Sequence, residues 1–220
     1  MSISAIIFDM DGLMFDTEKI GLEAFQKAAL QYGYVDTQGT FLRMIGRNVR
    51  DADRILLEDF GADFPVTAVR TERLSLLEAM RRENGIPMKD GLMDILHFLK
   101  NRGMDLAVAS SSDRSVVMQN ISAHTLEQYF AVVVCGDEVT VGKPDPEIFL
   151  KAAHKLGVLP SECLVLEDAD AGIRAAHAAG MTPLLIPDIL EPSDDIRALA
   201  YATLKSLKDV PEIIDQMQQE

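Results

Sequence analysis

Near the start of the chain a short apolar run, Ala5–Phe8, leads into two acids separated by one residue, Asp9-Met10-Asp11-Gly12, and then Leu13-Met14-Phe15-Asp16-Thr17. An apolar run bounded by acids and glycine reads as a buried strand of a parallel sheet, and the pleat predicts Asp9 and Asp11 on one side with Met10 on the other. Two carboxylates confined to one small volume raise a pKa unless a cation sits between them or one oxygen stays protonated. Each remedy is useful chemistry: a carboxylate held by a divalent ion can attack phosphorus, and a protonated neighbour can donate to a leaving oxygen. Alone, the pattern reads first as a polar turn after a strand. A calcium loop is excluded, because Leu13, Met14 and Phe15 offer no oxygen ligands at the following positions.

The decision rests on the elements that carry the other polar groups. Alternating patterns predict strands at 105–110, 131–135, 163–166 and 183–186, with helices at 92–102, from 114, up to 156 and at 171–179. The strand at 105–110 runs into Ser110-Ser111-Ser112-Asp113, and that at 163–166 into Glu167-Asp168. Between them lies Gly142-Lys143-Pro144-Asp145-Pro146, in which Asp145 is expected to cap a helix and Pro146 to be its first residue. Strands alternating with helices give an α/β fold with a doubly wound parallel sheet, which binds ligands beyond the carboxyl ends of its strands. Asp9, Asp11, Ser110, Lys143, Glu167 and Asp168 then share one edge. That convergence favours a site over a turn. The serines also suit a helix start capped by Ser112 or Asp113, and Asp170 suits an N-cap.

The first strand is followed by helical patterns alone: 18–32, capped by Asp16 or Thr17 with Leu22, Phe25, Ala29 and Tyr32 on one face, then 38–45, 51–60 and 66–84. An all-helical block that interrupts the alternation is expected to be a separate insertion. The predicted organisation is a Rossmann-like core of residues 1–15 and 88–220 with a helical cap of residues 16–87, joined near 15–17 and 85–88.

Across 220 residues, 35 acidic against 21 basic side chains leave a net charge of −14, which argues against nucleic acid or anionic membranes as partners. An anionic substrate then requires a locally positive site built from a metal ion, a lysine and backbone N–H groups. Cys135 and Cys163 sit in apolar runs without metal or disulfide spacing, and His97, His124, His154 and His177 fall in or beside helical patterns without ligand partners. No signal peptide or membrane span is evident, so a cytoplasmic monomer is expected.

These motifs resemble the haloacid dehalogenase superfamily, in its branch of small phosphatases and β-phosphoglucomutase-like proteins. The resemblance spans nearly the whole chain through Asp9-Met10-Asp11-Gly12 with Phe15-Asp16-Thr17-Glu18, Ser110, Gly142-Lys143-Pro144-Asp145-Pro146, and Glu167-Asp168 with Ala171-Gly172-Ile173. It implies Asp9 as a nucleophile forming an aspartyl-phosphate and Asp11 as general acid and base. Ser110 would hold a phosphoryl oxygen, and Lys143 would offset charge. It implies Mg²⁺ bound by the Asp9 carboxylate, the Asp11 backbone carbonyl and Asp168, with Glu167 behind them holding metal-bound water or Lys143. Ser111, Arg47 and Glu18 are candidates for substrate contact, and Met14 and Met44 for the pocket lining.

Gly21 stands where the mutase carries a sugar-facing histidine, Val49 where it carries a cap arginine, and Ala169 where many relatives carry Ser or Thr. Three readings stay open: a Mg²⁺-dependent phosphatase acting on a small phosphorylated metabolite such as a sugar phosphate, a phosphosugar mutase, and a catalytically idle binding protein on the same fold.

Overall fold

The computed structural model describes residues 3–45 and 49–218. Six parallel strands form one sheet: β1 (Ala5–Phe8), β2 (Asp105–Ser110), β3 (Val132–Cys135), β4 (Cys163–Glu167), β5 (Thr182–Leu185) and β6 (Ala202–Thr203), in the order β3-β2-β1-β4-β5-β6. Along β1 and β4, and along β2 from Leu106 onward, successive residues are buried whichever way they point. Ile7, Ala107 and Val165 pack with Phe149, Ala152 and Ala176 on one face, while Ile6, Val108 and Leu166 are covered on the other. Burial on both faces is why these strands read as continuous apolar runs. β6 has only two residues and no apolar run, so no periodicity announces it.

Contacts divide the chain into two compact units, one of residues up to Phe15 with those from Met88 onward, the other Asp16–Pro87. The second unit contains α1 (Thr17–Gln31), α2 (Gln38–Met44), α3 (Val49–Phe60) and α4 (Val66–Asn84), with no strand among its described residues. Its core gathers Phe25, Ala28, Ala29, Phe41, Leu56, Phe64 and Val69. The buried face of α1 is Ile20, Ala24, Phe25, Ala28 and Ala29; Tyr32, expected on that face, follows the helix and is exposed.

In the sheet-containing unit come α5 (Leu92–Asn101), α6 (Arg114–Ala123), α7 (Glu147–Leu156), α8 (Asp170–Ala178), α9 (Asp194–Leu199) and α10 (Val210–Met217). α7 begins one residue later than expected: Pro146 occupies the N-cap, and Asp145 accepts the Glu147 N–H at 3.0 Å in a local turn. Asp170 is likewise the first residue of α8, and Ala169 its N-cap. Met14 is fully buried. Among the described residues no helix is long and apolar enough to cross a membrane.

Candidate active site

The order β3-β2-β1-β4 places β1 between the two strands whose ends carry Ser110 and Glu167, where the order of strands reverses. The ladder to β4 extends one residue beyond β1, the Asp9 N–H donating to the Leu166 carbonyl at 2.9 Å. The chain then turns sharply, with Met14 and Phe15 N–H donating to Met10 O at 2.9 and 3.2 Å and Gly12 N–H to Phe15 O at 3.0 Å. A turn, rather than the pleat, therefore sets Asp11 relative to Asp9. Gly12 has φ +84°, and a Cβ there would lie 2.1 Å from Asp168 Oδ2. The backbone thus admits the Asp168 carboxylate where any side chain would evict it.

Lys143 ties β1, β2 and β4 together. Its Nζ lies 2.6 Å from Asp9 Oδ1, 2.6 Å from Glu167 Oε1 and 3.1 Å from the Ala109 carbonyl, using all three donors. The three side chains are 6%, 9% and 1% exposed for Lys143, Asp9 and Glu167. The other Glu167 oxygen accepts the Asp168 and Ala169 N–H groups at 2.9 and 3.0 Å at the start of α8. Gly172 makes room for it, because a Cβ there would lie 1.7 Å from Glu167 Oε1.

Asp11 faces β2. Ser112 Oγ donates to Asp11 Oδ2 at 2.8 Å and Ser110 Oγ at 3.3 Å, while Ser110 Oγ accepts the Ser112 N–H at 3.1 Å. Ser112, expected from the sequence only as a helix cap, is thus a further partner of Asp11. Asp113, not Ser112, stands at the N-cap of α6. Ser111 is exposed, and the serines that reach the Asp11 carboxylate are its two neighbours. Glu18 lies in the first turn of α1 within the helical unit, and Arg47 lies outside the described residues.

Side-chain oxygens of Asp9, Glu167 and Asp168 all come within 4.8 Å of one another. Asp11 is absent from that group, its carboxylate being turned to the serines. Four carboxylates against one lysine leave the edge negatively charged, which suits a hard divalent cation with oxygen ligands. Burial outweighs the attraction of Lys143 and, with the Glu167 and Asp11 charges, pushes the Asp9 carboxyl up to about 8. Burial likewise raises Asp168, with Glu167 and Asp9 adding to the effect. Lys143 is desolvated too, but its two carboxylate partners win and hold its pKa above the usual lysine value.

These directions fix the sign of a pH effect. A carboxyl whose folded pKa lies above its unfolded value contributes stability at low pH that is lost as pH rises toward the folded value. Without a divalent ion, the melting temperature should therefore fall between about pH 5 and pH 8 by several degrees. Adding MgCl₂ should restore more of it at pH 8 than at pH 5. Scanning fluorimetry over that range checks this, and a flat or rising metal-free profile would contradict it.

The family model for haloacid dehalogenase-like hydrolases matches residues 6–186. The chain is 32% identical over 222 residues to a phosphorylated carbohydrates phosphatase of Thermotoga maritima, covering 99% of each. It is 33% identical over 179 residues to a fructose-1-phosphate phosphatase of Escherichia coli, covering 81% of this chain and 93% of that one. A conserved haloacid dehalogenase-like protein of Agrobacterium tumefaciens superposes with a TM-score of 0.82 at 26% identity, covering 99% of this chain and 100% of that one. With a matching family model over most of its length and relatives above 30% identity along nearly all of it, the chain belongs to the haloacid dehalogenase-like hydrolases.

Proposed function

We propose that this hydrolase is a Mg²⁺-dependent phosphatase that releases phosphate from a small phosphomonoester, of the sugar phosphate class, through a phosphorylated Asp9. The observation that carries the reading is the buried Asp9 carboxylate, bonded to Lys143 at 2.6 Å and grouped with Asp168, while Asp11 sits apart on two serine hydroxyls. Asp9 and Asp168, with the Asp11 backbone carbonyl, would hold the cation, which when bound supplies positive charge against the phosphoryl oxygens.

An Asp9 oxygen attacks phosphorus, the bond from phosphorus to the ester oxygen breaks, and Asp11 delivers its proton to the departing alkoxide. Water then attacks the phosphoryl group on Asp9 and gives its proton to Asp11, restoring both carboxyl groups and releasing inorganic phosphate. Lys143 offsets the charge that builds on the phosphoryl group, and Ser110 turns its hydroxyl from Asp11 to a phosphoryl oxygen. Glu167, with both oxygens engaged, holds Lys143 in place. Ser112 keeps Asp11 aimed. Relatives named for phosphorylated carbohydrates and fructose 1-phosphate support the substrate class.

The mutase reading fares worse. At Gly21, its sugar-facing histidine would meet Phe41 Cζ at 3.2 Å and an Arg73 nitrogen at 3.4 Å from the first side-chain carbon onward. An idle binding protein would not need three strand ends assembled around one buried lysine.

The test is phosphate release from a panel of phosphorylated sugars and other metabolites, with and without Mg²⁺. Asp11→Asn sharpens it. That substitution should cost about 10²–10⁴-fold on an alkyl phosphate and much less on an aryl phosphate, whose leaving group departs unprotonated. Equal losses on both substrates would remove Asp11 as the acid.

A further inference from the structure

We infer that Asp188, held by Lys89, is a positioning residue of the cation site, its second carboxylate oxygen accepting a hydrogen bond from a water carried by the ion beside Asp168. The inference rests on the proposed metal dependence and deepens it.

β5 runs parallel to β4 with Leu185 opposite Glu167, and the Ile186 N–H donates to the Glu167 carbonyl at 2.8 Å. The chain therefore leaves β5 alongside the residues that enter the site, and Asp188 lies two positions on. Lys89 Nζ pairs with Asp188 Oδ1. Lys89 is itself anchored to the loop that carries Asp11 and Gly12, its N–H donating to Met14 O at 2.9 Å. The pair is largely enclosed, with side chains 23% exposed for Lys89 and 12% for Asp188.

Asp188 Oδ2 is fully buried, and among the described residues no donor reaches it. A buried carboxylate oxygen without a donor costs free energy, and ordered water or an ion is its usual complement. Mg²⁺ takes few protein carboxylates and keeps several waters, whose protons need acceptors. Outer groups that hold such waters tune affinity without touching the ion. The Asp188 charge also reaches Asp168, adding to Glu167 and Asp9 in raising its carboxyl. A pair whose task was only to fasten the chain after Met88 would be complete with Oδ1; the enclosed second oxygen is what a hydrated cation explains.

Calorimetric titration of MgCl₂ into the substrate-free protein tests this independently of turnover. Wild type should bind Mg²⁺ and Asp168→Asn should not. Absence of wild-type binding would overturn the metal dependence itself, and this inference with it. Given wild-type binding, Asp188→Asn should weaken affinity by about tenfold. Lys89→Met, which removes the group that holds Asp188 but leaves its carboxylate, should weaken Mg²⁺ binding by no more than Asp188→Asn does. An Asp188→Asn affinity within about twofold of wild type, or a larger loss in Lys89→Met than in Asp188→Asn, would overturn the positioning role alone. Should circular dichroism show Asp188→Asn unfolded, the double variant Lys89→Gln with Asp188→Asn keeps a hydrogen-bonded pair in place and is judged by the same thresholds.

Discussion

Asp9→Asn should abolish phosphate release from alkyl and aryl phosphomonoesters alike, by about 10⁴-fold or more. The amide matches the carboxylate in shape, so the loss reports chemistry rather than packing: a neutral amide oxygen is a poor nucleophile, and no leaving group, however good, compensates for a missing attack. This separates Asp9 from Asp11, whose loss should depend on the leaving group. Folding should survive. The buried Asp9 carboxylate is disfavoured in the absence of a cation, burial raising its pKa, and a neutral residue there relieves that cost. Metal-free Asp9→Asn should therefore melt no lower than wild type at pH 8, while gaining less from added Mg²⁺. Steady-state phosphate release and melting curves test both halves, with intact mass confirming that the asparagine has not reverted by deamidation. Mg²⁺-dependent turnover above about one per cent of wild type on either substrate would remove Asp9 as the nucleophile.

Much of this site is legible in the sequence because alternation places residues. Once 105–110 and 163–166 are strands of a parallel sheet, Ser110 and Glu167-Asp168 must fall at one edge with Asp9, whatever the details of packing. The helical insertion is legible for the same reason, as a break in the alternation. What stays hidden depends on turns and on distant pairing. Ser111 and Ser112 are equivalent as letters ahead of a helix; only the turn after β2 exposes one and sends the other to Asp11. Asp11 itself is set by the loop that closes on Met10 O, not by the strand pleat. Gly172 reads as a helix residue of low propensity, and its purpose is visible only when the Glu167 carboxylate is seen against it. Lys89 and Asp188 stand 99 residues apart, neither in a recognisable motif, and nothing short of the fold joins them.

Lys143→Met carries the second large expectation, in stability as well as rate. Methionine keeps an unbranched stem beside the Phe149 ring, over which the Lys143 ammonium now sits at 4.8 Å, so packing is largely preserved. The charge is what goes. Asp9 and Glu167 would then be two enclosed carboxylates without their shared cation, and breaking a buried pair from one side costs about 3–5 kcal/mol. For a chain of this size that is a fall in melting temperature of about 10 °C. The loss should grow as pH rises, because the stranded carboxylates are tolerated only while protonated. Turnover should drop by at least about 10²-fold, the charge on the phosphoryl group having lost its fixed cation. Adding Glu167→Gln separates the two effects: the double variant strands one buried carboxylate fewer, so it should regain several degrees of melting temperature at pH 8 while turnover stays low. Recovery of activity along with stability would show that Lys143 acts only by keeping the sheet edge folded, and would take it out of the chemistry.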